Sequence, residues 1–256
     1  MRVWKYLDAA FRPYDSLTEA LGSDRLRREV ISAVGAGGKT AILESLAAEL
    51  SGHGLKILMT TTTHIALPGE GVFYSEEPEE IKAGFLKLPY VVAGRRFGSD
   101  KLEGLPEAAY SDLCRAADKV LVEADGSHGL PLKVPAAHEP CIPKNTSRLL
   151  ILAGLDSIGY RIQDICHRPE EVRRILETSG EHRISASDIA VLLGKGYLEP
   201  YAKIYDSAVI LNKADSRERQ GAAAEIADRL APVPVLMTCR CGGSSQMAAF
   251  GTGKDR

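Results

Sequence analysis

The chain has 256 residues, 45% of them hydrophobic and 26% charged, and its 32 Lys and Arg against 34 Asp and Glu leave a net charge of −2. That balance, with a pI near 6.3, removes the generic electrostatic case for nucleic acid or an anionic membrane as partner. At about 150 residues per domain the length allows roughly one to two domains. The pattern below favours a single domain over 1–241 with a Pro-rich insertion near 130–147 and a flexible tail over 242–256. No apolar run approaches the roughly 18 residues of a spanning helix. The opening MRVWKYLDAAFRPYDS lacks the apolar stretch of a secretory signal. Five cysteines, an odd number in a long chain, argue against a disulfide framework and lead us to expect a cytoplasmic location.

In chain order, Ser16 to Gly22 predicts a short helix with a Ser cap, a Glu three residues on and a Gly stop. Glu29–Val34 is a β-branched run that ends in glycines. Ile42, Leu43, Leu46, Ala47 and Leu50 then mark a helical stripe over 39–50, and 55–59 is a second strand. A strand, glycine loop, helix and strand form a βαβ unit, which requires a parallel sheet. Further strands are expected over 89–93, 119–123, 149–153, 207–211 and 233–237, and helices over 106–116, 169–176, 185–193 and 217–230. The strand runs are continuously apolar rather than alternating, as in strands covered on both faces. The expected fold is therefore three-layer, doubly wound α/β of the P-loop NTPase type. Pro131, Pro135, Pro140 and Pro143 interrupt the stretch from Leu130 to Ser147, which reads as a long ordered loop.

Gly35-Ala36-Gly37-Gly38-Lys39-Thr40 joins the first of these strands to its helix. Glycines let backbone N–H groups fold around phosphate oxygens, and the helix N-terminus adds positive potential. A lysine there reaches the β- and γ-phosphates, and a hydroxyl such as Thr40 can hold Mg²⁺. The full Walker spacing would place glycine at position 33, where this chain has Ala33; the compact form is similar to loops in Mur ligases. Lys39, read as a surface lysine among glycines, is expected to contribute little to stability. A nucleotide-hydrolysing P-loop protein also needs a carboxylate at a neighbouring strand end. Glu123-Ala124-Asp125-Gly126 offers Glu123 and Asp125, either of which would support Mg²⁺; Asp125 has the look of a Walker B aspartate. The Glu-x-x-Gly spacing resembles metal-insertion GTPases. The Thr60–Thr63 run after the second strand offers hydroxyls to the metal or the γ-phosphate.

Asn212-Lys213-Ala214-Asp215 closes an apolar strand late in the chain and matches the Asn-Lys-x-Asp guanine motif. Asp215 would accept from N1–H and the 2-amino group of guanine, Asn212 would donate to the base edge, and the Lys213 stem would pack on the purine. GTP is thus expected over ATP.

Glu123 to Lys133 and Ala137 to Pro143, with the glycine loop, the threonine run, Ala153–Gly159, His167-Arg-Pro-Glu170 and Asn212–Asp215, resemble the YqeC family. The likeness runs from about Leu17 to Met237. It implies a P-loop protein accessory to a selenium-dependent molybdenum hydroxylase. Its partners would then be a nucleoside triphosphate, a molybdenum cofactor or selenium species, and the hydroxylase or another accessory protein. Thr62, Lys133, His138, His167 and Arg168 are its candidate substrate or partner surface. The alternative for Glu139 is an internal hydrogen bond to His138, and for Arg168 the cap of a helix. Two other functions stay open: an ATP-dependent ligase or kinase, and a module that holds a cofactor or metal with little turnover. For the last, His138 with Cys141, Cys166 beside His167, and Cys239-Arg-Cys241 are the thiol and imidazole candidates.

Overall fold

The computed structural model describes residues 1–23 and 27–240. The tail expected over 242–256, and Cys241, lie outside the described residues. The strands are β1 (Arg2–Leu7), β2 (Ala10–Tyr14), β3 (Glu29–Gly35), β4 (Ile57–Thr61), β5 (Ile65–Ala66), β6 (Tyr74–Ser75), β7 (Val91–Ala93) and β8 (Arg95–Phe97). They continue with β9 (Lys101–Glu103), β10 (Lys119–Glu123), β11 (Leu132–Lys133), β12 (Arg148–Gly154), β13 (Cys166–His167), β14 (Asp206–Asn212) and β15 (Val235–Cys239). The helices are α1 (Leu17–Leu21), α2 (Lys39–Ser51), α3 (Pro78–Gly84), α4 (Glu107–Ala116), α5 (Ile162–Ile165), α6 (Pro169–Leu176), α7 (Ala186–Leu193), α8 (Glu199–Tyr201) and α9 (Arg217–Leu230).

Ten strands form one sheet in the order β2-β1-β15-β14-β12-β3-β10-β4-β7-β6. From β15 to β6 every pairing is parallel. The expected α/β class with a mostly parallel sheet is the observed one. The hairpin β1–β2 was not foreseen; it adds antiparallel strands beside β15. Its turn residues Asp8 and Ala9 both have φ near +55°, at 51° and 58°, without a glycine to announce the turn.

Along β3, Ile31 and Ala33 face one core and Val34 the other; along β10, Leu121 faces the first and Val120 and Val122 the second. The first core is closed by Ile42, Leu43, Leu46 and Leu50 of α2, the second by residues of α4, α6, α7 and α9. Burial on both faces is the reason the strands read as continuous apolar runs. The start and stop signals around α1 act as read: Ser16 accepts from the Glu19 N–H and Gly22 ends the helix in the left-handed region. Ser185 and Asp188 form a reciprocal capping box on α7.

Because β3 lies between β10 and β12 while β4 lies beyond β10, the chain reverses its direction across the sheet at β3. Ligands of open α/β sheets bind at the carboxyl ends of strands at such a point. The Pro-rich stretch 130–147 is ordered; it contributes β11, which pairs with β13 in a small parallel sheet. A second small sheet, β5-β9-β8, stands over the same end. Among the described residues no helix is long and apolar enough to cross a membrane.

Candidate functional site

β3 runs on through Gly35, paired with Leu152 of β12, so the loop before α2 is only Ala36–Gly38. That pairing explains the alanine at 33: it is fully buried strand, in register with Glu123 on one side and Leu150 on the other. Gly35 and Gly37 are obligatory. Each has φ near +90°, and a Cβ would stand 2.3 Å from the Leu152 carbonyl oxygen or from the Gly154 nitrogen, respectively. α2 begins at Lys39 with no side-chain cap and no acidic residue in its first turn. Its first N–H groups have no helical partners and are directed to whatever anion sits before them.

Lys39 is not a surface residue. It is 2% exposed, and its Nζ donates to the Gly35 carbonyl at 2.7 Å and to Ser127 Oγ at 3.3 Å. It also lies 3.2 Å from Asp125 Oδ1 and 3.7 Å from Glu123 Oε1. The expectation of a surface lysine is therefore corrected. The sequence showed glycines around it, but the carboxyl end of β10 closes over it.

The two acidic residues at the carboxyl end of β10, Glu123 in the strand and Asp125 just past it, are placed differently. Asp125 is fully buried; Oδ2 accepts from the Gly35 N–H at 3.0 Å and lies 3.4 Å from Lys133 Nζ. Its Oδ1 has the Lys39 charge beside it but no hydrogen bond. Glu123 faces the cavity and accepts from Thr40 Oγ1 at 2.8 Å. Burial pushes the Glu123 carboxyl up, with the Asp125 charge adding to it and Lys39 and Thr40 opposing. Thr40 and Glu123 thus form the hard-oxygen pair that suits Mg²⁺, which takes few protein oxygens and keeps several waters. Asp125, also read as a magnesium ligand, is fully buried against the loop and the lysine and does not line the cavity.

A run of alternating charge leads away from the loop. Lys133 Nζ, buried, donates to Gly126 O at 2.6 Å and to Glu139 Oε2 at 3.0 Å. Arg168 grips Glu139 from the other side, at 3.1 Å through Nε and 2.9 Å through Nη2. Burial alone would raise Glu139, but Arg168 and Lys133 outweigh it and hold the carboxyl at about 2. Glu139 is therefore bound to Lys133 and Arg168, not to His138. Arg168 does occupy the N-cap position of α6, at φ 59°, but its side chain caps nothing. Tyr197 is fully buried near this chain; burial and the Asp125 and Glu139 charges push its phenol well above the ordinary range. It lies on a one-turn π-helix, Gly194–Leu198, a distortion frequent at functional sites. No sequence signal marked it.

These groups open on a cavity of about 820 Å³, lined by Lys39, Thr40, Glu123, Thr62, Thr63, His138, His167, Arg168 and Lys213 among others. Thr60 and Thr61 spend their hydroxyls on the carbonyls of Ala93 and Glu123, and Thr62 on that of Cys141. The His128 and His167 rings stack at 4.7 Å. Burial, then the charges of Lys133, His128 and Arg168, hold His167 down to about 4, so it is a neutral imidazole at pH 7. Ser127 and His128 belong to the same acidic-strand motif and line the cavity.

The Asn212–Asp215 segment divides. Asn212 Nδ2 donates to Gly37 O at 2.8 Å while its Oδ1 accepts from Thr238 and from the Lys213 N–H. One N–H of its amide thus braces the glycine loop, a role that follows from the proximity of the end of β14 to that loop. Lys213 pairs with Asp156 at 2.7 Å. Asp215 is exposed, accepts from the Arg240 N–H at 3.2 Å, and does not line the cavity. Cys166 is buried, with its thiol pushed up to about 12 by burial, and Cys141 donates to the His138 carbonyl at 3.8 Å. Among the described residues no group of three or more His, Cys, Asp or Glu side chains converges to hold a metal.

The sequence profile of the YqeC protein family matches residues 31–170, the span from β3 through the loop, the acidic strand end and the Lys133–Glu139–Arg168 chain. The YqeC protein of Escherichia coli (strain K12) is 33% identical to this chain over 180 residues, 68% of this chain and 70% of that protein. The chain belongs to the YqeC family.

Proposed function

We propose that the protein binds and hydrolyses a nucleoside triphosphate with Mg²⁺, and that it does so as an accessory to the maturation of a molybdenum hydroxylase. The observation that carries the nucleotide reading is Lys39. Its buried ammonium sits at the uncapped N-terminus of α2, among the oxygens of Gly35, Asp125 and Glu123. In the bound state phosphate oxygens replace the Gly35 carbonyl as its partner, and the α2 N–H groups take the remaining phosphate charge. Asp125 keeps the lysine and the Gly35 N–H in place. Thr40 and Glu123 hold Mg²⁺, which supplies charge neutralisation for the phosphates. GTP is favoured over ATP by Asp215, with one N–H of the Asn212 amide given to Gly37. The role in hydroxylase maturation, with a molybdenum cofactor or selenium species as cargo, rests on the family resemblance.

The test is equilibrium binding of GTP and ATP with and without Mg²⁺, followed by phosphate release in the presence and absence of a candidate hydroxylase. Magnesium-dependent binding lost in Glu123→Gln supports the reading. A chain that binds neither nucleotide at millimolar concentration refutes it.

A further inference from the structure

The cavity is larger than a γ-phosphate and its water need, and its outer wall is of a different character from the phosphate loop. That wall is the small sheet β5-β9-β8. Lys101 is the cross-strand partner of both Phe97 and Ala66, so the three side chains share one face, and all three line the cavity. Leu102, pointing the opposite way, is fully buried in the core and anchors the sheet. Phe97 is 48% exposed, and its ring meets that of His64 at 4.2 Å with a 45° tilt. An apolar ring left half-exposed inside a concave site has a face to offer. Lys101 forms no ion pair among the described residues, whereas the neighbouring Arg95 is tied to Glu103. Of the cavity's carboxylates, Glu139 is neutralised by Lys133 and Arg168 and Glu123 belongs to the phosphate loop; Asp100 has no cation partner among the described residues and receives only the Ser99 hydroxyl at 3.4 Å, so the anion must seat on the side of Lys101 that faces Arg168.

We propose that the outer part of this cavity is a second binding site, for a planar aromatic ring that carries an anionic group. The ring stacks on Phe97 and His64, and the anion is met by Lys101 and by the outward edge of Arg168. Its role beside the bound nucleotide, as the ligand on which turnover acts or depends, rests on the nucleotide reading above; the binding of ring and anion does not.

The probes are 1-naphthyl phosphate, 1-naphthoate and inorganic phosphate, titrated against the full chain with and without a saturating non-hydrolysable nucleotide and Mg²⁺. With the nucleotide saturating, the two naphthyl compounds should bind and inorganic phosphate should not, and the better of the two identifies the anion as phosphate or carboxylate. Phe97→Ala and Lys101→Glu, both at exposed positions, should each weaken the naphthyl compounds about tenfold, the scale of losing one stacking face or one paired charge. Naphthyl binding that is unchanged in both variants overturns the proposal. So does binding that nucleotide displaces and Lys39→Ala abolishes, because the probe then sits in the phosphate loop. If the native chain binds no nucleotide yet holds naphthyl phosphate through Phe97, the second site stands and the nucleotide reading falls.

Discussion

Replacing Lys39 separates its two duties. Lys39→Met keeps most of the buried stem and removes the charge. Asp125, fully buried, then keeps Lys133 at 3.4 Å and the Gly35 N–H at 3.0 Å but loses the ammonium at 3.2 Å. Breaking a buried ion pair by deleting one partner costs about 3–5 kcal/mol. With one cation and one N–H donor remaining, about 2–3 kcal/mol is the expected loss. A chain of 256 residues has an unfolding entropy of about 0.5 kcal/mol/K, so Tm should fall by about 4–6 °C. Adding Asp125→Asn removes the stranded charge and should recover part of that loss, a coupling that a double-mutant cycle reads directly. In the same protein nucleotide affinity should fall by about ten- to a hundredfold, the value of a hydrogen bond to a charged group. Thermal melting and equilibrium binding on native, single and double variants decide it. A Lys39→Met protein that melts with the native chain would show that the Lys39–Asp125 pair contributes nothing. Unchanged nucleotide affinity would remove the phosphate loop from the mechanism.

The two carboxylates at the end of β10 should respond in opposite ways. Glu123→Gln should abolish the magnesium dependence of binding and leave Tm within about 2 °C, whereas Asp125→Asn should lower Tm by more than that, since it sits between two cations; equal Tm losses would refute the division. Asp215→Asn should weaken GTP about tenfold and improve xanthosine triphosphate, because the C2 carbonyl of xanthine needs a donor where guanine needs an acceptor; competition binding that shows no base switch would reduce Asp215 to its contact with the Arg240 N–H. His167 supplies the pH dependence. Burial and neighbouring cations place its folded value at about 4, below the ordinary 6.5, so the unfolded chain binds the proton first on acidification. Its contribution is fully present above pH 6.5 and is lost as the pH falls through 4. His167→Gln should therefore flatten the decline of Tm across that window, and an unchanged slope would sink the assignment.

Local chemistry made much of this protein legible. The glycines of 35–38, the helical stripe after them and the apolar runs on either side specify a strand, a tight loop, a helix and a parallel neighbour, because each is encoded within a few residues. The acids at 123 and 125 and the tetrapeptide from Asn212 could be placed at strand ends for the same reason. What each of those groups touches was decided by the packing of β3 between β10 and β12. Lys39 is buried because the end of β10 folds over the loop. Asn212 serves Gly37 because the end of β14 reaches the loop. Glu139 joins Lys133 to an arginine 29 positions away because β11 pairs with β13. The hairpin at the N-terminus and the small sheet that carries Phe97 and Lys101 were hidden for a related reason. Their strands are short, and although Gly98-Ser99-Asp100 marks the turn between β8 and β9, long-range backbone pairing, which no spacing records, determines where they sit.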